Sequence, residues 1–128
     1  IVVAIDTRHV DKKKHVVHTH GGRKPTELET IAWAKEVENR GAGELLLTSM
    51  DADGTKDGFA LELTGTISRN AGIPIIASGG AGTMAHFDEV FTEGYADAGL
   101  AASIFHFKEI GIPELKSYLT EKGLPMRF

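Results

Sequence analysis

A short apolar run, a loop rich in small residues and a helix-spaced segment recur four times along this chain, and no other feature limits its folding options as much. Ile1 to Ile5 is β-branched and closed by Asp6; Glu44 to Ser49, Pro74 to Ser78 and Asp97 to Ala102 are the later runs. Brief apolar runs bounded by turn residues read as buried parallel strands. Between the first two, Thr26-Glu27-Leu28-Glu29 reads as a capping box. Leu28, Ile31, Ala34 and Val37 follow at helical spacing, and Gly41 is the stop. Leu61, Leu63, Ile67 and Ala71 mark a second helix ending at Gly72, and Phe87, Val90 and Phe91 a third ending at Gly94. Pro113 opens a last helix through Leu115, Tyr118 and Leu119 to Gly123. The stretch from Asp11 to Lys14 is charged. His15 to His20 then alternates around Val16, Val17 and Thr19, which predicts a short hairpin arm inside a long loop. No linker interrupts the series, so residues 1–128 are expected to form one domain.

Strands alternating with helices predict an α/β fold with a parallel sheet and right-handed crossovers. Four such units fit either a small doubly wound sheet or half of a (β/α)8 barrel, since a whole barrel needs about 250 residues. Both architectures place their sites beyond the strand C-termini. A phosphate site shared by two consecutive final loops is the habit of the barrel, and the half-barrel is the expected architecture. The chain also opens directly in a strand-like run without Met, which suggests a piece of something longer. In half a barrel, alternate residues of Ile1 to Ile5, Leu45 to Leu47 and Ile75 to Ala77 would face an uncovered interior. That face and two open strand edges should drive association with a second copy or with an N-terminal half.

Composition removes several classes of function. There is no cysteine, so disulfides, thiolate catalysis and cysteine–zinc sites are excluded, which suits a reducing cytoplasm. A net charge of −4 with both signs interspersed leaves no basic footprint for nucleic acid. No apolar run is long enough for a membrane-spanning helix. An anionic ligand must then be held by local geometry.

That geometry is expected in Ser78-Gly79-Gly80-Ala81-Gly82 and Ala101-Ala102-Ser103. Bare backbone lets N–H groups approach a ligand, the helix starting near Thr83 adds its positive end, and Ser103 adds a hydroxyl. One loop alone reads equally well as a tight turn; two adjacent loops favour phosphate. Asp6 closes the first strand, where barrel enzymes carry acid–base groups, though an aspartate there can equally cap the next loop. Asp51 to Gly58 lacks the spacing of a calcium loop and reads as a mobile loop closing over a ligand. Lys56 within it reads as a solvated lysine before a phosphate ligand. His18 and His20 lie two apart and would share one strand face, but no third ligand is spaced to join them in a metal site. Trp33, Phe87 and Phe91 read as core, and Glu44 as facing the bottom mouth of a barrel or solvent.

Several runs together carry a resemblance. Thr19-His20-Gly21-Gly22-Arg23, Gly41-Ala42-Gly43-Glu44, Leu47-Thr48-Ser49-Met50-Asp51 and Asp53-Gly54-Thr55-Lys56 are four of them. Ala77 to Gly82, Leu100 to His106 and Gly123-Leu124-Pro125-Met126-Arg127 are the others. Along essentially the whole chain they resemble strands five to eight of the cyclase-subunit family of imidazole glycerol phosphate synthase, a (β/α)8 barrel of histidine biosynthesis. The resemblance implies that Asp6 is the second of two catalytic aspartates, the first lying in the other half. It implies a phosphate site at Asp53, Gly54, Gly79, Gly80, Ala102 and Ser103, with Thr48 and Ser78 near the substrate. It makes Glu44 part of an ammonia entrance where a glutaminase subunit docks. No cofactor or metal is implied. The implied substrate is a bis-phosphorylated aminoimidazole carboxamide ribonucleotide. Ammonia attacks its ribulosyl carbonyl, and cyclisation with C–N cleavage gives imidazole glycerol phosphate and the released carboxamide ribonucleotide. One departure stands out: Ala60 replaces an aspartate common in the family. Two other readings stay open, the sister barrel that isomerises a phosphoribosyl aminoimidazole and a non-catalytic phosphate-binding half-barrel.

Overall fold

The computed structural model describes residues 1–11 and 14–128; within the charged stretch from Asp11 to Lys14, Lys12 and Lys13 lie outside the described residues. Its elements run β1 (Val2–Asp11), β2 (Lys14–Thr19), β3 (Lys24–Glu29), α1 (Thr30–Asn39), β4 (Glu44–Ser49) and α2 (Leu61–Asn70). They continue through β5 (Ile75–Ser78), α3 (Met84–Thr92), β6 (Ala98–Leu100), α4 (Ser103–His106) and α5 (Ile112–Glu121). One six-stranded sheet has the order β3-β2-β1-β4-β5-β6. β1, β4, β5 and β6 are parallel and in chain order, the four repeats of the sequence. β1 is twice as long as expected. Beyond Asp6 its outer edge pairs antiparallel with β2, so the hairpin arm continues the sheet, and β3 adds a third strand to the arm.

Two expectations in this region fail for local reasons. The capping box at Thr26 does not form. The Thr26 hydroxyl donates to the Val17 carbonyl at 2.7 Å, which keeps Thr26 and Leu28 in β3. The cap of α1 is Glu29, whose carboxylate accepts the N–H groups of Ile31 and Ala32 at 3.2 and 2.7 Å. His18 and His20 do not share a strand face. His18 is buried with Nδ1 at 3.1 Å from the Val16 carbonyl oxygen, whereas His20 lies past the end of β2 with a φ of 57°. Arg40 and Gly41 end α1 as the sequence predicts, Gly41 at a φ of 102°.

Burial alternates along every parallel strand and decides the architecture. Ile5, Leu45, Leu47, Ile75 and Ala77 are buried, and the strand register puts them all on one face. Ala34, Val37, Leu63 and Ile67 from α1 and α2 cover one end of that face. Phe87, Val90, Ile104, Leu115 and Leu119 from α3, α4 and α5 cover the other, with Phe59 edge-on to Phe87 at 5.2 Å between ring centres. Phe87 is therefore core as expected, while Trp33 and Phe91 only pack partly buried against it. A doubly wound sheet would carry helices on both faces and a reversal of strand order. Among the described residues this sheet has neither feature, and it is half of a (β/α)8 barrel.

Candidate functional site

The uncovered face is built in rows by the same register. Ala4, Leu46, Ile76 and Ala98 form one row; one pleat nearer the strand C-termini, Asp6, Thr48, Ser78 and Leu100 form the next. Side chains two residues apart on each strand make such layers inside barrels. Glu44, opposite Val2, opens β4 at the other end of this face. Asp6 is not the end of its strand, as the sequence suggested. It marks where the arm joins the outer edge while parallel pairing with β4 runs on to Thr7, with Thr48 on one side and His18 on the other. His18, buried opposite Asp6, is the neighbour that sequence reasoning missed; only the β1–β2 register brings the two together.

Beyond the row, three consecutive strand-end loops enclose a cavity of about 220 Å³. It is lined by Asp53, Gly54 and Lys56 after β4, by Ser78 to Ala81 after β5, and by Leu100 to Ser103 after β6. All six residues of the implied phosphate set therefore surround one cavity, together with Ser78. Asp6, Thr48 and Glu44 lie outside it, Asp6 and Thr48 sharing the row of Ser78. Among the described residues, the backbone N–H groups of Gly80, Ala81 and Ser103 find no backbone acceptor.

The glycines have a second reason to be there, which the sequence did not reveal. A Cβ on Gly80 would run into the Gly58 backbone, 2.7 Å from its carbonyl carbon, and one on Gly82 would come within 2.6 Å of Lys56 Cβ. The loop after β4 lies directly on these residues, pinned by Gly58 N–H donating to the Gly80 carbonyl at 2.8 Å. Its other end is tied by Met50 N–H to the Thr7 carbonyl at 2.8 Å and by His9 N–H to the Asp51 carboxylate at 2.6 Å. α3 starts after Thr83 as the sequence predicts, and Nδ1 of His86 accepts the N–H groups of Gly82 and Thr83 at 3.0 and 3.2 Å. Those two donors serve the helix cap; Gly80 and Ala81 face the cavity instead.

A second cavity of about 280 Å³ lies under the arm, lined by His9, His15, Ile31, Thr66 and the first turn of α2. His9 and His15 meet edge to face at 5.0 Å between ring centres. Burial, and secondarily the neighbouring His9, hold His15 below the usual imidazole range against the opposing pull of Asp51, Glu29 and Glu62. Among the described residues, no group of three or more His, Cys, Asp or Glu side chains is arranged to hold a metal ion, and no helix is long and apolar enough to cross a membrane.

A parallel sheet in chain order, helices on one face and a cavity at the strand C-termini define the class: half of a (β/α)8 barrel with a cavity at its strand-end rim. Within that class the chain belongs to the histidine biosynthesis protein family, whose model matches residues 1–111. It is 73% identical over 127 residues to the imidazole glycerol phosphate synthase subunit HisF of Cytophaga hutchinsonii, covering 99% of this chain and 50% of that protein. It is 58% identical over 128 residues to the same subunit of Bacillus pumilus, covering 99% and 51%. The chain thus spans about half the length of these curated relatives.

Proposed function

We propose that this chain is the half of an imidazole glycerol phosphate synthase cyclase barrel that contributes one phosphate clamp and one acid–base carboxylate. The observation that carries the reading is continuity: Ser78 belongs both to the cavity and to the row that contains Asp6. Asp6 and Ser78 are separated by two strand spacings, roughly 10 Å. A phosphate held by Gly80, Ala102 and Ser103 leaves the ribulosyl end of a long bis-phosphorylated substrate extended over the row towards Asp6. Fixing that end supplies orientation, and Asp6 moves protons as ammonia adds and the ring closes. Thr48 and Ser78 line the path, Asp53 and Gly54 border the clamp, and Gly79 shapes its wall. Glu44 at the far end of the face stands at an ammonia entrance served by a glutaminase subunit. The complementary half-barrel brings the other carboxylate and the other phosphate clamp, so these 128 residues alone are inactive. No cofactor takes part in this reading, and the setting is cytoplasmic.

The test is to co-express the chain with the complementary half-barrel and measure ammonia-dependent formation of imidazole glycerol phosphate. Turnover is expected in the pair, and Asp6→Asn should reduce it by about 100-fold or more. A loss below about threefold would remove Asp6 from the acid–base steps. Isomerisation of the aminoimidazole precursor in place of cyclisation would transfer the chain to the sister enzyme.

A further inference from the structure

Among the described residues lining the cavity, Lys56 alone is cationic and Asp53 alone is anionic. Lys56 is held at two points. Its backbone, at a φ of 58°, packs against Gly82. Its Nζ donates to both carboxylate oxygens of Glu109, at 2.8 and 2.9 Å. A left-handed conformation costs a residue with a side chain about 1–2 kcal/mol, so surrounding contacts must impose it. Glu109 sits in the turn that closes α4, its N–H donating to the Ile104 carbonyl at 2.9 Å. α4 begins at Ser103, on the cavity wall. The pair therefore straps the loop after β4 to the turn after α4 across the rim. Side chains 45% and 42% exposed gain little stability from such a pair. Placement at the rim is its distinguishing property.

We infer that Lys56 is a transferable cation of the phosphate site, held by Glu109 until an anion enters and then passed to the phosphate. The inference rests on the phosphate reading of this cavity. Backbone N–H groups supply only partial positive charge, and Asp53 repels an incoming dianion. The ammonium on its flexible four-carbon stem can turn from a monovalent carboxylate to a phosphate of higher charge. Glu109, already half in water, is readily rehydrated. Glu109 thus competes with the phosphate for one cation, which sets affinity and couples release of the strap to arrival of the ligand.

A titration of the ¹⁵N-labelled chain with inorganic phosphate at fixed ionic strength, read at the Gly80 and Ser103 amides, tests this. Lys56→Gln should weaken binding and Glu109→Gln should tighten it, each by roughly two- to fivefold, the range of a half-exposed charge interaction. The gain from Glu109→Gln should vanish when Lys56→Gln is also present. Equal weakening by both single variants would mean that the pair merely holds the loop in shape, and this would overturn the inference. So would unchanged affinity in both while the wild type still binds, an outcome that leaves the phosphate site standing. No response at Gly80 and Ser103 in the wild type would overturn site and inference together.

Discussion

Ala60 occupies the N-cap of α2, with φ −74° and ψ 83° and no side chain to accept the free N–H groups of the first turn. An aspartate at this position would supply that acceptor and complement the helix dipole. Ala60→Asp is therefore expected to stabilise the fold by about 1 kcal/mol, read as a higher denaturation midpoint. A neutral or destabilising effect would show that the geometry rejects a cap. His15 makes a different statement, about pH. Its folded-state pKa lies below the ordinary imidazole value of about 6.5, so the unfolded chain takes up a proton more readily than the folded one. The stability linked to His15 is full above that value and is lost as pH falls through the folded-state pKa. Above about pH 6.5 the denaturation midpoints of wild type and His15→Gln should keep a constant offset, and below it the wild type should lose stability relative to the variant. Parallel curves would remove His15 as the source.

At the scale of elements, contacts between loops determine what single segments cannot. The loop from Asp51 to Gly58 resembles a free lid in sequence, yet it packs on the glycine run after β5 through Gly58 and Lys56. Gly82→Ala places a methyl group against Lys56 and should cost about 1–3 kcal/mol, the scale of overpacking, with amide shifts concentrated in residues 51–58. Unchanged stability would mean that the loop gives way freely. The start of α1 teaches the same lesson from the other side. Thr26 satisfies every local rule for a cap, but pairing of β3 with β2 claims its hydroxyl, and Glu29 takes the role. A tertiary hydrogen bond outweighs a local propensity worth about 1 kcal/mol.

The whole molecule presents a sheet finished on one face only. Val2, Ala4, Leu46, Ile76, Ala98 and Leu100 line the other, with Val2 and Leu100 51% and 42% exposed. Along β1 the arm covers the outer edge only from Asp6 onward, so among the described residues no strand pairs with the outer edge of Val2 to Ile5 or with the far side of β6. Apolar surface and unpaired edges of this kind drive association. Sedimentation at micromolar concentration should show a dimer or larger species, and the complementary half-barrel should compete with self-association. A compact monomer with little binding of apolar dyes would contradict the open face.

What the sequence determined by itself is the repeat. β-branched runs and helix-spaced residues depend on near neighbours, so the four parallel strands and the helix stops at Gly41 and Gly123 can be read without coordinates. The grouping of Gly80 with Ser103 was legible for a related reason: in successive βα units, loops after adjacent strands must lie side by side. The tertiary structure alone decided which face the helices cover, since alternation along a strand does not say where a helix will pack. It also decided that β1 runs on into a three-stranded arm, that His18 stands opposite Asp6, and that Lys56 meets Glu109 across 53 residues of chain. Each of these depends on strand register or on loop packing between distant segments, and no spacing along the chain encodes either.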